Sequence, residues 1–497
     1  MSYESRLKEL TEHIGQIEYI RNVMNSVLFW DKITNMPSKG IAYRSKQLGF
    51  LAEESHKLFN DHRFRELLNE LKGDKRNTFK TERMIAHITR GANFINSIPE
   101  KEYGEYISLI SLSEKVWSEA RKSGELDSYN ECLRRIMNKF RNFADYWGYK
   151  EHPYDALMGY YDEGLTVRKL EKMVDSLKPG LQELIGYERN NTLNYKPPIL
   201  ISADIEKQKM LWQMLLKRIG FKADSGRVDP GECTTIVANS PGDVRIVTTY
   251  DKDNIYEGIF NVLHSGGKGV YQQSIDPSLL GTMLCEASSN YIEEAVGRLY
   301  ENIIGRSSGF WEYVFKESSA IIPELDSKEC GFDEFMRSIN IHEPSPIRIN
   351  ADEVSYLMHI IVRYEIERDL ISGELKIDDL AEVWTLKYEK YLGVKPKNHL
   401  EGPIQDVHWA SGYVGYFPTY IAANLTSAEL SSAVEKECGN LDDILARGEF
   451  EKINNWLREN IFRFGALYTP DELLERSIKK EVEANSYLNY LKRKVGD

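Results

Sequence analysis

Cysteine is scarce in these 497 residues: Cys132, Cys233, Cys285, Cys330 and Cys438 are scattered and form no C-x-x-C pair. That excludes a disulfide framework and reads as free thiols of a reducing compartment. No apolar run approaches the roughly 18 residues that a membrane-spanning helix needs, so neither a span nor a membrane partner is expected. The first twenty residues are charged and amphipathic, unlike a signal peptide, and the cytoplasm is the expected location. Positive charge is also in deficit. Lys and Arg total 64 against 77 Asp and Glu, a net charge of −13, which excludes a general nucleic-acid binder with a basic stripe. Internal repeats and low-complexity linkers are missing too.

What is present is helical periodicity. Leu7, Leu10, Ile14, Ile17, Ile20 and Val23 recur at three-to-four spacing, which predicts a helix over residues 4–28. Met36-Pro37-Ser38-Lys39-Gly40 breaks the pattern, and it resumes over 41–59, 79–98, 103–124, 129–147, 166–187 and 203–219. Residues 227–251 differ. Gly and Pro are frequent there, and 245–250 is β-branched, so one small sheet of two or three strands is expected. The chain reads as a single mainly α unit over 1–497, with a soft division into an N-terminal helical lobe, 1–160, and a second lobe, 161–497.

The organising stretch is 254–271, NIYEGIFNVLHSGGKGVY. A working zinc-peptidase helix carries His-Glu-x-x-His, which places two imidazoles one turn apart with a general-base Glu beside the first. Here His264 is present, Ser265 stands at the Glu position and Lys268 at the second His. Gly266, Gly267 and Gly269 each cost a helix about 1 kcal/mol against Ala, so a helix here requires close packing. Further on, Glu293 and Glu294 lie 25 and 26 residues after Lys268, where a zincin of this layout takes its third ligand from a following helix. Taken alone, these stretches leave a chance His and a surface Glu pair open.

Together the two stretches resemble the carboxypeptidase Taq family, the thermostable zinc metallocarboxypeptidases. The framework around them matches: Leu263-His264, Asp276-Pro277, Glu286-Ala287, Arg298-Leu299, Glu301-Asn302 and Gly305-Arg306-Ser307. Matches continue at Trp30-Asp31, at Asp243-Val244-Arg245, at Arg348 with Ala351-Asp352, and at Gln405-Asp406-Val407-His408-Trp409. Gly415-Tyr416-Phe417-Pro418-Thr419-Tyr420 completes the set.

The resemblance implies a large helical zincin-like fold with a deep central groove and a small sheet, a homodimer, and removal of C-terminal amino acids with zinc or cobalt. It implies metal-ligand positions at His264 and Glu294, with Lys268 and Glu293 replacing the family's His residues, and the base position at Ser265. Substrate-binding positions fall at Arg348, Arg245, Asp406, His408, Tyr416 and Tyr420. Serine offers no carboxylate to take a proton, and a protonated lysine offers no lone pair to a metal. The sequence therefore predicts a carboxypeptidase homologue that is inactive or strongly altered, binds a peptide C-terminus and needs no cofactor. It also predicts a Lys268–Glu294 ion pair where the metal would lie. Two other readings stay open: an active enzyme with a non-standard metal site built from His264, Glu293 and Glu294, and a non-catalytic partner of an active paralogue.

Overall fold

A computed structural model of the chain describes residues 1–190, 196–231, 233–343 and 345–496. It is mainly helical with one three-stranded sheet, the class expected from the sequence. Its five cysteines are free. Among the described residues, no helix is long and apolar enough to cross a membrane.

The chain forms two compact units, each drawn from three separate stretches. One comprises Met1–Ala92, Pro197–Asn340 and Leu430–Glu481; the other comprises Asn93–Lys196, Ile341–Glu429 and Val482–Asp497.

The first unit holds the sheet. Strands β1 (Gly226–Pro230), β2 (Thr235–Ser240) and β3 (Asp243–Thr248) lie in the order β1-β3-β2. β3 is parallel to β1 and antiparallel to β2, with an irregularity between Ala238 and Ser240. β3 is the central strand, and its Val244, Ile246 and Val247 are fully buried. Next comes the central helix, Tyr256–Ser274, which is buried on nearly every side. Its glycines are required by packing. A Cβ at Gly266 would lie 2.4 Å from Leu216, one at Gly267 2.6 Å from Tyr300, and one at Gly269 2.7 Å from Phe221. Side chains of neighbouring elements fill the space that a larger residue would need, and this burial offsets the poor helix propensity.

The following helix, Asn290–Arg298, starts at Ser289, whose hydroxyl accepts from the Ile292 N–H. Such a cap satisfies one of the orphan donors of the first turn. Without a break it becomes the π-helical segment Leu299–Ile304.

The second unit is organised around the helix Glu353–Ser372. Asp352 caps it by accepting from the backbone of Val354 and Ser355, and Gly373 ends it at φ +86°. Most of this helix is apolar and buried, yet His359, Arg363 and Glu367 recur every four residues and so share one face. Each is matched. His359 Nδ1 lies 3.0 Å from the Tyr388 hydroxyl, and Arg363 donates to Asp406. Glu367 accepts from the Tyr154 hydroxyl at 2.6 Å, the Gly415 N–H and the Trp409 indole. Each side chain thus makes at least one hydrogen bond, while His359 Nε2 and Arg363 Nε and Nη2 have none among the described residues.

Candidate functional site

The central helix and its follower bring five charged or ionisable side chains into one cluster. His264 Nδ1 lies 2.8 Å from Glu301 Oε2, and His264 Nε2 lies 3.3 Å from Glu294 Oε2. Lys268 Nζ reaches the same Glu294 oxygen at 2.6 Å. Arg298 donates through Nε to the other Glu294 oxygen at 3.0 Å and through Nη1 to Glu301 at 3.2 Å. The helical geometry explains the meeting. His264 and Lys268 are one turn apart, and Glu294 and Arg298 are one turn apart on the facing helix. The π-helical segment carries Glu301 to the far side of the imidazole. Gly297 leaves room for that ring, since a Cβ there would lie 2.6 Å from His264 Cε1.

The site is strongly polarised. Burial would raise the Glu294 pKa, but Lys268, His264 and Arg298 outweigh it and hold the carboxyl well below the usual range. Burial opposes the charge on Lys268, and the Glu294 and Glu293 carboxylates more than offset it, so the ammonium is retained. His264 is likewise raised, because Glu294 and Glu301 overcome the burial that disfavours the imidazolium. These groups form a nearly closed ionic network, and such a network is stable only when every member is paired.

The neighbouring positions turn elsewhere. Glu293 accepts from the Gln272 amide at 2.5 Å and faces a cavity of about 260 Å³ that Glu18, Arg21, Asn22 and Asn239 also line. Ser265 is buried at 3% exposure, with no carboxylate to offer. Arg245, on β3, is held by both oxygens of Asp243 at 2.8 Å and lies over the Trp30 ring. It is therefore tied to its own strand and makes no hydrogen bond to the His264 cluster.

The second unit gathers most of the remaining predicted residues. Arg348 donates through Nε to both oxygens of Asp406, at 3.2 and 3.1 Å, and through Nη2 to Oδ1 at 2.8 Å. Arg363 Nη1 donates to Oδ2 at 3.0 Å. The Asp406 turn is fixed by Trp117, whose indole donates to the Ile404 carbonyl, and by Arg121, which donates to the Gln405 carbonyl. Arg363 and Arg348 overcome burial and hold Asp406 well below the carboxylate range. Tyr416 and Tyr420 meet edge to face at 5.5 Å, and Tyr356 approaches Tyr420.

His408 makes no hydrogen bond to Asp406. The two guanidiniums occupy that carboxylate. His408 Nδ1 has no hydrogen-bond partner among the described residues, and its ring packs against Phe417 and Tyr413. Burial, with Arg363 adding to it, lowers the His408 pKa to about 3; burial lowers His359 to about 4. Both histidines fold neutral and titrate near their ordinary pKa when unfolded. Depressed folded values give a contribution that is complete above about pH 6.5 and is lost as pH falls toward the folded values. Between pH 7 and 5 the two together are expected to remove roughly 2–4 kcal/mol of stability. Chemical denaturation at a series of pH values checks this: His408→Gln should flatten the slope, and an unchanged slope would refute the assignment.

Residues that sequence reasoning missed are Glu301, Arg298 and Arg363. Arg298 follows Glu294 by four residues, a helical spacing that the sequence carries, whereas Glu301 lies in the π-helical segment, whose change of phase the sequence does not show. Arg363 was marked only by its four-residue spacing from His359 and Glu367.

Comparison with known proteins extends over the whole chain. The family model for carboxypeptidase Taq (M32) metallopeptidases matches residues 9–495. Carboxypeptidase 1 of Bacillus subtilis (strain 168) is 33% identical over 494 residues, covering 99% of this chain and 98% of its own. Thermostable carboxypeptidase 1 of Thermus thermophilus is 33% identical over 512 residues, with 99% of each chain covered. Among solved structures, Pyrococcus furiosus carboxypeptidase superposes with a TM-score of 0.95 at 31% identity over 99% of each chain.

These matches correct the expectation that no cofactor is needed. The matched family is one of metallopeptidases, so a metal ion such as zinc or cobalt belongs to its chemistry. The donors nearest to fitting one are His264 Nε2 and Glu294, but Lys268 Nζ sits 2.6 Å from the same Glu294 oxygen. Among the described residues no three His, Cys, Asp or Glu side chains are grouped to hold an ion. In this arrangement the Lys268 ammonium competes for the Glu294 oxygen that an ion would take. Lys268→Met is accordingly expected to tighten cobalt binding roughly ten- to a hundredfold, given the repulsion between like charges at this separation. Titration followed by the cobalt visible spectrum checks it, and equal affinity in both proteins would refute it.

Proposed function

The chain belongs to the carboxypeptidase Taq (M32) metallopeptidase family, and from that premise we propose that it binds peptide C-termini while its peptide hydrolysis is absent or strongly altered. The supporting observation is the Lys268–Glu294 contact, with Ser265 beside His264. In hydrolysis of this kind a positioned carboxylate takes the proton of the attacking water. Ser265 cannot do so near neutral pH, whichever metal is supplied. Arg298 and Lys268 engage both oxygens of Glu294, so this carboxylate is committed as well.

Recognition stands on different residues. Arg348 is held side-on by Asp406, and its Nη1 makes no hydrogen bond within the described residues. A guanidinium held by one edge can present the other to a carboxylate. Tyr420 and Tyr356 lie near enough to act on the Arg348 charge, and tyrosine hydroxyls beside it would suit a peptide carbonyl.

The test is release of the C-terminal residue from Ala-Ala-Ala-Phe, with zinc, cobalt or manganese added. No release above the uncatalysed background is expected, together with saturable binding of the same peptide. Metal-dependent turnover by the natural protein would overturn the hydrolytic half of the proposal, and absence of binding would overturn the other half.

A further inference from the structure

We propose that Arg363 is a positioning residue for carboxylate recognition: it holds Asp406 against the side edge of Arg348 and so keeps the outer edge of that guanidinium open for a ligand. The inference rests on the reading that Arg348 receives a peptide C-terminal carboxylate.

The two oxygens of Asp406 receive different donors. Oδ1 receives Arg348 Nη2 and Nε, while Oδ2 receives Arg348 Nε and Arg363 Nη1. Asp406 thus grips Arg348 along its Nε–Nη2 side, leaving Nη1 unengaged. A buried carboxylate oxygen without a full complement of donors seeks another. With Arg363 removed, the nearest remaining charged donor is Arg348 itself. Asp406 could then turn to the end-on arrangement, taking Nη1 and Nη2 together, and the ligand edge would be consumed internally. Arg363 prevents this by satisfying Oδ2 from the other side.

Its surroundings suit that task. Arg363 is 1% exposed, and its guanidinium lies 4.1 Å from the centres of both the Trp409 and Phe417 rings. Stacking on both rings holds the plane of the fork in place. Nε and Nη2 have no hydrogen-bond partner among the described residues, so the hydrogen bond to Asp406 is the one through which its position is felt. Arg348 is less buried, with a side-chain exposure of 13%, as a ligand-facing group should be. Lysine at 363 would keep the charge, but a flexible ammonium would hold neither the stacked plane nor a fixed direction toward Oδ2.

The experiment compares fluorescein-labelled Ala-Ala-Ala-Phe as free acid and as C-terminal amide, by fluorescence anisotropy, on the full-length protein. The natural protein is expected to prefer the acid by about tenfold or more. Arg348→Met should bring the ratio near one. Arg363→Met should lower the ratio by about fivefold or more while leaving amide affinity unchanged, and Arg363→Lys should lower it less. A purely structural role would weaken acid and amide alike, and that outcome, or an unchanged ratio, overturns the proposal. Should Arg363→Met fail to fold, Arg363→Lys decides by the same criterion. If the natural protein shows no preference, or Arg348→Met retains it, the underlying reading fails and this inference falls with it. If Arg348→Met abolishes the preference and the Arg363 variants retain it, this inference alone falls.

Discussion

Restoring the base and the two imidazoles together, with Ser265→Glu, Lys268→His and Glu293→His, is expected to raise metal-dependent release of a C-terminal amino acid by about 10²–10⁴-fold over the natural protein, the range a positioned general base contributes. The three changes must be combined. Lys268→His alone takes the ammonium from a buried Glu294 and supplies no base. Ser265→Glu alone adds a carboxylate next to a cluster that already contains Glu294 and Glu301. Residues that act as a unit give non-additive effects, so the single variants should show little of the gain. The same purified proteins serve for metal analysis and for the peptide assay. A folded, metal-loaded triple variant no faster than the natural chain would show that the hydrolytic deficit lies outside these three positions.

The second large effect concerns stability. Asp406→Ala is expected to destabilise the unit containing it by about 3–5 kcal/mol, the usual consequence of leaving a buried charge uncompensated. Asp406 is 5% exposed, and its loss strips Arg363 of its carboxylate while Arg348 is freed on one edge. A control is provided by Glu131→Ala, which removes one of the two carboxylate partners of Arg134, at a pair whose side chains are 40% and 61% exposed. That change should stay within about 0.5 kcal/mol, because an exposed ion pair is screened by water. Urea denaturation followed by tryptophan fluorescence separates the two, since Trp409 stacks on Arg363. Equal midpoints for both variants would show that the Asp406 cluster is not a buried electrostatic centre.

Much of this architecture was legible. The helix expected over 41–59 is the helix Ile41–Phe59, because the break at Met36–Gly40 is written in breaker residues. The β-branched run at 245–250 lies within and just beyond β3. The meeting of Lys268 with Glu294 was also readable, since both occupy positions that in the resembled family face one metal. Three kinds of information were hidden. The contribution of Glu301 depends on the π-helical segment after Arg298, which shifts side-chain phase and leaves no composition signal. Arg363 lies in a run dominated by apolar residues, so its importance shows only once Asp406, Trp409 and Phe417 fold against it. Two of the boundaries between the compact units fall within the continuous helices Phe79–Asn96 and Pro418–Cys438. A boundary inside a helix has neither linker composition nor Gly and Pro to reveal it.

That threading bears on inheritance. Because each unit is assembled from three stretches interleaved with the other's, no single crossover between two genes could exchange one unit while leaving the other intact. A crossover between residues 93 and 481 would leave both cores with segments from two parents. Such a chain can diverge by substitution but is poorly suited to shuffling, in keeping with relatives that match it over 98–99% of their own length. Changes as drastic as those at Ser265 and Lys268 would then arise residue by residue within an otherwise intact scaffold.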